Sequence, residues 1–319
     1  MTPGAPPDTT APVITSVSAN PSSVAPPNKL MVDVAFSAAA TDDRDPSPVC
    51  TVSAVDGHGA PATDFSITGP LAGRVRATGG ATYSFTVTCS DAAGNAASRS
   101  VDVVVPPDTT PPVVTSLTVT PSVVWPPNDA LVAVTVAVTA TDDSGETPAC
   151  ALSAITSSGT SFTADDFSIT GQYSGRVRAV GGRTYSLRVT CSDSAGNRRD
   201  ASVNVVVPPD TTAPVITALS ASPDHIWPPN GKMESVTLFV TATDNVDAAP
   251  KCALTSITSA PAGYAVVTGT FTASVRSEKD VVYTLNVTCG DHAGNKSQGS
   301  ILVAVSKDSP ASASPASKK

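Results

Sequence analysis

The chain opens the same way three times. Asp8-Thr9-Thr10-Ala11-Pro12 returns as Asp108-Thr109-Thr110-Pro111-Pro112 and again as Asp210-Thr211-Thr212-Ala213-Pro214, a period of about 100 residues. A unit of that length can bury a core of its own, so the period predicts an array of whole domains. The 319 residues divide into a linker (1–7), repeats 8–107, 108–209 and 210–306, and a polar, low-complexity tail (307–319).

Within each repeat the apolar residues alternate with period two. Val132, Val134, Val136 and Val138 share one face of a strand, as do Val32, Val34, Phe36 and Ala38 in the first repeat. A later strand carries Tyr83, Phe85, Val87 and Cys89 on one face, matched by Tyr185 to Cys191 and by Tyr283 to Cys289. A last strand carries Val101, Val103 and Val105, with Val203 to Val207 and Ile301 to Val305 as its copies. Gly79-Gly80, Gly181-Gly182 and Ala93-Gly94-Asn95 punctuate these runs. About seven short strands per repeat, with frequent turn signals, predict an all-β chain of three tandem immunoglobulin-like β-sandwich domains.

The six cysteines fall two to a repeat: Cys50 and Cys89, Cys150 and Cys191, Cys252 and Cys289. That placement reads as one disulfide per domain, and so as an oxidising, extracellular compartment. The first cysteine of each pair opens strand C and the second closes strand F, so the bridge is expected within one sheet. No apolar run is long enough to span a membrane as a helix. The first residues lack the basic and apolar regions of a signal peptide, so a secreted chain would here be a fragment behind an initiator methionine. A net charge of −8 argues against nucleic acid as a partner.

All but three of the 27 acidic residues are aspartates; the glutamates are Glu146, Glu234 and Glu278. Aspartate suits turns, caps and hard-cation sites. In an immunoglobulin-like sandwich the start of strand A, the BC loop and the FG loop share one pole. That topology gathers Asp8, Asp42 and Asp91 with Asn95 in the first repeat, and Asp43 lies beside Asp42. It gathers Asp108, Asp142, Asp193 and Asn197 in the second, and Asp210, Asp244, Asp291 and Asn295 in the third. Two readings stand: a calcium site at each pole, or turn and cap chemistry with no metal.

The Asp-Thr-Thr-x-Pro opening, the Trp-Pro-Pro-Asn segments (125–128 and 227–230), the Ala-Thr-Asp strand end and the Cys-x-Asp-x-Ala-Gly-Asn turn resemble tandem bacterial Ig-like repeats. These are similar in plan to hyalin-type repeats of secreted or cell-surface proteins. The resemblance covers residues 8 to about 306 and implies a module, with little about its parent. The first repeat departs from it at Ala25, where the others have tryptophan. No tyrosine stands two residues before the second cysteine, so the usual tyrosine corner is absent or placed elsewhere.

Trp125 and Trp227 are read as core residues, with interdomain wedges or sugar platforms as the alternative. Arg74, Arg76, Arg176, Arg178 and Arg276 are read as a solvated basic strand edge. His58, His225 and His292 occupy unrelated positions, and no nucleophile elbow or phosphate loop accompanies them, so no catalytic activity is expected. The composition therefore points to a non-catalytic structural rod whose repeats are each other's partners. The alternatives are an adhesin or carbohydrate-binding module facing a host surface protein or glycan, and a filament-forming subunit.

Overall fold

The computed structural model describes residues 6–159, 163 and 165–307. All but the first residue of the expected tail, 307–319, lies outside them. Regular structure among the described residues is entirely β. Repeat 1 contains β1 (Val13–Asn20), β2 (Met31–Thr41), β3 (Val49–Asp56), β4 (Phe65–Gly69), β5 (Ala72–Arg76), β6 (Thr82–Ser90) and β7 (Ala96–Val104). They form two antiparallel sheets, β1-β2-β5-β4 and β3-β6-β7. With the strands lettered A to G, these are the ABED and CFG sheets of a constant-type immunoglobulin sandwich.

Repeat 2 repeats the plan with β8 (Val113–Thr120), β9 (Leu131–Thr141), β10 (Ala149–Ser157), β11 (Phe167–Gly171), β12 (Ser174–Arg178), β13 (Arg183–Ser192) and β14 (Arg198–Val207). Repeat 3 has β15 (Val215–Ser222), a two-residue β16 (His225–Ile226), β17 (Met233–Thr243), β18 (Lys251–Ala260), β19 (Ala265–Gly269), β20 (Thr272–Arg276), β21 (Val282–Gly290) and β22 (Lys296–Val305). The extra strand β16 pairs in parallel with β22, and the isolated bridges Ser23–Val104 and Val123–Val206 mark the same crossing in the other repeats. The segment after strand A thus leaves its own sheet and docks on strand G of the other.

Each repeat has a separate core. Strand F supplies its centre: Tyr83, Phe85, Val87 and Cys89 are fully buried, as are Tyr185 to Cys191 and Tyr283 to Cys289 at the same period. The disulfides Cys50–Cys89, Cys150–Cys191 and Cys252–Cys289 join directly opposed residues of strands C and F, with Cα atoms 3.9, 4.0 and 4.0 Å apart. At the other end of strand F the tyrosine hydroxyl reaches back to close the E–F corner. Tyr83 donates to the Arg76 carbonyl at 2.9 Å, while Tyr185 and Tyr283 donate to Arg178 and Arg276 at 2.7 Å. The corner tyrosine is therefore present, but at the start of strand F, six positions before the cysteine.

Two expectations are corrected here. The tryptophans are not core residues: Trp125 and Trp227 are each 50% exposed, whereas the preceding Val124 and Ile226 are buried. Extended backbone sends neighbours to opposite sides, and the parallel crossing turns the valine or isoleucine inward. Nor do the arginines line an edge. β5 and β12 are flanked on both sides, and their last residues are tied down: Arg76 Nε bonds Asp64 at 2.7 Å and Arg178 Nε bonds Asp166 at 2.9 Å. On that side of the sheet the edge strands are β4, β11 and β19.

The Cys150–Cys191 bridge closes a separation of 41 residues, and cross-links of that span restrict the unfolded chain by about 4 kcal/mol. Replacing both cysteines by alanine should lower the unfolding free energy of repeat 2 by roughly that amount, read as a fall in urea midpoint with a steeper slope, because the unfolded chain is no longer held compact.

Candidate metal centre

The three segments expected to share a pole do share it. Asn95 in the FG turn donates from Nδ2 to the Asp8 backbone carbonyl at 3.3 Å. Asn197 reaches Asp108 at 3.3 Å and Asn295 reaches Asp210 at 3.2 Å in the same way. Each asparagine also donates Nδ2 to the second oxygen of its own aspartate, at 2.7 to 2.8 Å. Expected as ligands, the asparagines act through their amide nitrogens as braces that tie the FG turn to the start of strand A.

Carboxylate oxygens of Asp108, Asp142 and Asp193 lie within 4.8 Å of one another, and so do those of Asp210, Asp244 and Asp291. In repeat 1 the set that meets is Asp8, Asp42 and Asp43, so Asp43 stands where Asp91 was expected. Asp91 keeps the hydrogen bonds of its counterparts, accepting from the Asn95 backbone and side chain at 2.8 and 2.7 Å. The FG turn is formed alike in all three repeats, and nothing in the structure explains why the carboxylates of repeat 1 group differently.

Each of the loop aspartates spends its first oxygen on its own turn. Oδ1 of Asp8, Asp108 and Asp210 accepts from the N–H two residues on, at 3.1, 2.9 and 3.1 Å, which is the local reason for the Asp-Thr-Thr opening. Oδ1 of Asp42 accepts from Arg44 and Asp45, that of Asp142 from Ser144, and that of Asp244 from Val246 and Asp247. The second oxygen is different. Oδ2 of Asp42, Asp108, Asp142 and Asp244 is shielded from solvent and accepts no hydrogen bond from a described residue.

A buried carboxylate oxygen without a donor costs about 1–3 kcal/mol, and three like charges at this spacing repel one another. A cation among them removes both penalties. The donor set is all oxygen, from short side chains with no thiolate or imidazole, which fits a hard divalent cation and not zinc. Turn chemistry accounts for the Oδ1 atoms named above and leaves these Oδ2 atoms unexplained.

The hydrogen bonds also set the acidity. Burial pushes the Asp91 carboxyl up, but the Asn95 side chain and the N–H groups of Asn95, Gly94 and Ala93 outweigh it and hold the group below its ordinary value. Asp193 is held down in the same way by Asn197, Gly196 and Ala195. For Asp244 the Asp247 N–H leads, against burial, with help from Val246 and Asn245.

The poles of repeats 2 and 3 sit against the preceding repeat. Lys29 of repeat 1 pairs with Glu146 in the BC loop of repeat 2. Gly145 beside it has φ +76, and a Cβ there would come within 3.3 Å of the Asn28 carbonyl. At the next junction a Cβ on Gly181 of repeat 2 would lie 3.7 Å from the Asp210 nitrogen, at the start of repeat 3.

Because these carboxyls are more acidic folded than unfolded, their stabilisation is complete above the ordinary carboxylate range and is lost as pH falls through the lowered values. In chelator, Asn197→Ala should weaken that contribution. The midpoint of repeat 2 should then fall less steeply than in the unaltered chain between roughly pH 5 and pH 2, followed by circular dichroism.

No protein-family profile matches the chain, and no curated protein does. Solved structures do. The chain is similar to a calcium-stabilised adhesin with which an Antarctic bacterium reaches out and binds ice, at 19% identity and a TM-score of 0.40, over 94% of this chain and 75% of that one. It is similar to part of a 1.5-MDa bacterial ice-binding adhesin concerned with host cell surface retention, at 16% identity and 0.34, over 94% and 99%. It is also similar to the protocadherin γB4 extracellular domain, at 16% and 0.31, over 92% of this chain and 49% of that one. The immunoglobulin-like assignment rests on the strand order itself.

Proposed function

We propose that the chain is a non-catalytic extracellular rod: tandem disulfide-linked Ig-like modules that space or present another part of a bacterial secreted or surface protein, with calcium bound at the repeat poles. The observation that supports it is the set of shielded Oδ2 atoms on Asp42, Asp108, Asp142 and Asp244, each belonging to a residue of a carboxylate cluster. In repeat 2 the ligands would be Asp108, Asp142 and Asp193, with Asn197 holding the FG turn. In repeat 3 they would be Asp210, Asp244 and Asp291, and in repeat 1 Asp8, Asp42 and Asp43. Calcium accepts six to eight oxygens in flexible geometry, so carbonyls and water can complete a three-carboxylate set.

The rod follows from where those poles lie. The linkers Pro106-Pro107 and Pro208-Pro209 are stiff and carry no spacer before Asp108 and Asp210. A cation held by the first aspartate of a repeat and by its BC and FG loops ties the linker to the module that follows. The motif likeness to hyalin-type repeats agrees with such a structural role. The disulfides agree with an oxidising compartment, and no helix among the described residues is long and apolar enough to cross a membrane.

A binding role, as an adhesin segment or carbohydrate-binding module, is favoured by one observation. The only two tryptophans are half exposed at equivalent places, although Trp227 spends its Nε1 on the Lys307 carbonyl at 3.0 Å. Quenching of tryptophan fluorescence by a glycan, lost in Trp125→Ala, would support that reading over the spacer.

The calcium reading is tested by melting the oxidised chain in millimolar calcium and in excess chelator. A cation that binds only the folded state adds about 2.7 kcal/mol per site at 100 times its dissociation constant, so the midpoint should rise by several degrees. Asp142→Asn should remove the rise for repeat 2 alone. Superimposable melts would leave these aspartates as turn and cap residues only.

A further inference from the structure

One corner of the sandwich is built differently in each repeat, at the foot of strand D where it meets the E–F turn. In repeat 2 it is occupied by Asp166, and both of its oxygens are engaged. Oδ1 accepts from Arg178 Nε at 2.9 Å; Oδ2 accepts from the Thr163 N–H at 2.9 Å and from Arg183 Nη1 at 2.7 Å. In repeat 3 the carboxylate is gone. Tyr264 takes its place, its ring lies 5.4 Å from the Arg276 guanidinium, and Val281 is buried where Arg183 stood.

Repeat 1 keeps the carboxylate and loses the donors to its second oxygen. Asp64 Oδ1 accepts from Arg76 Nε at 2.7 Å, as Asp166 does from Arg178. The counterpart of Thr163 is Pro61, which has no N–H, and the counterpart of Arg183 is Ala81. Shared backbone bonds fix these equivalences. Asp64 N–H donates to the Pro61 carbonyl at 2.9 Å as Asp166 N–H donates to Thr163 at 3.1 Å, and Tyr83 and Tyr185 each follow two residues after the position in question. Asp64 Oδ2 accepts no hydrogen bond from a described residue and, unlike the shielded oxygens at the poles, is open to solvent, although Asp64 as a whole is only 8% exposed. In front of it is a cleft of about 570 Å³, lined by Gly57, His58, Pro61, Asp64, Gly80 and Ala81 among others.

We propose that this cleft in repeat 1 is a binding site for a guanidinium group, an arginine side chain presented by a partner protein. The chain itself carries the precedent, since in repeat 2 the same oxygen is met by the guanidinium of Arg183. A planar, weakly hydrated cation with several N–H donors fits a nearly buried carboxylate better than an ammonium, which holds its water more tightly. Alanine at position 81 removes the built-in cation and leaves the room it would have filled. Proline at 61 removes the backbone donor that meets the same oxygen in repeat 2. The site lies at the pole of repeat 1 opposite its own aspartates; Gly79 of its lining borders the start of repeat 2, where a Cβ would come within 3.5 Å of the Asp108 nitrogen, but no carboxylate of the candidate metal centres lines the cleft.

The test is titration of the full chain, uniformly ¹⁵N-labelled, with N-acetyl-arginine amide and with its neutral isostere N-acetyl-citrulline amide. Saturable shifts are expected at Gly57, Asp64 and Gly80, none at the Asp166 corner, with the citrulline compound binding about tenfold or more weakly. The lysine analogue should fall between the two. Asp64→Asn should abolish the shifts, and because that change also deprives Arg76 of its partner, Ala81→Arg provides the second arm. It should fill the cleft as Arg183 does, block the arginine compound and leave the chain folded with an equal or higher melting point. Shifts of equal strength with citrulline, no saturable shift up to the solubility limit, or undiminished binding in a folded Ala81→Arg chain would each overturn the proposal. Repeating the titration in chelator should give the same result, which separates this site from the calcium reading.

Discussion

Strand F is the member on which each repeat hangs. It lies in the middle of the CFG sheet, and four of its side chains face the core with no exposure at all. One end is pinned to strand C by the disulfide, and the other holds the E–F corner through the tyrosine hydroxyl. Burial of a tyrosine, a phenylalanine or leucine, a valine and a half-cystine along one strand gives each module a core that the small inward faces of strands A and G could not supply alone. With both ends of strand F fixed, the FG turn and the E–F corner are set at opposite poles. These are the places where the chain carries its unusual chemistry.

At the N-terminal pole, Asn95, Asn197 and Asn295 link turn chemistry to site chemistry. Each satisfies its own aspartate and reaches the carbonyl at the start of strand A, so the loop carboxylates are held before any cation arrives. Pre-arrangement of that kind lowers the cost of ordering ligands on binding. The turns themselves need no cation, since Oδ1 of Asp8, Asp42 and their counterparts is already used. The cation would act on what is left over: the shielded Oδ2 atoms and the repulsion among carboxylates.

The same backbone frame tolerates different solutions at the opposite corner. An ion pair closes it in repeat 2, an aromatic and a valine in repeat 3, and in repeat 1 it is open. Repetition makes the difference visible. The junctions differ as well, with Lys29 facing Glu146 at the first, while Asp129 and Ala248 occupy the corresponding places at the second. Copies that share a core need not share a surface, because surface substitutions seldom change stability by more than about 0.5 kcal/mol.

Much was already settled by the amino-acid sequence. The period of about 100 residues marked the repeats, the two-residue alternation set the strands, and the paired cysteines set the bridges, because each follows from local spacing and a single buried face. The meeting of Asp108, Asp142 and Asp193 was legible too, once strand order placed three loops at one end. Tertiary structure decided the rest. The crossing of the segment after strand A to strand G turned Val124 in and Trp125 out, and period alone cannot say which phase faces the core when a strand changes sheets. The pairing of β5 with both β2 and β4 made an inner strand of one whose arginines suggested an edge. That Pro61 and Ala81 leave Asp64 Oδ2 without a donor depends on residues far apart along the chain meeting at one oxygen, and only the packed sandwich brings them there.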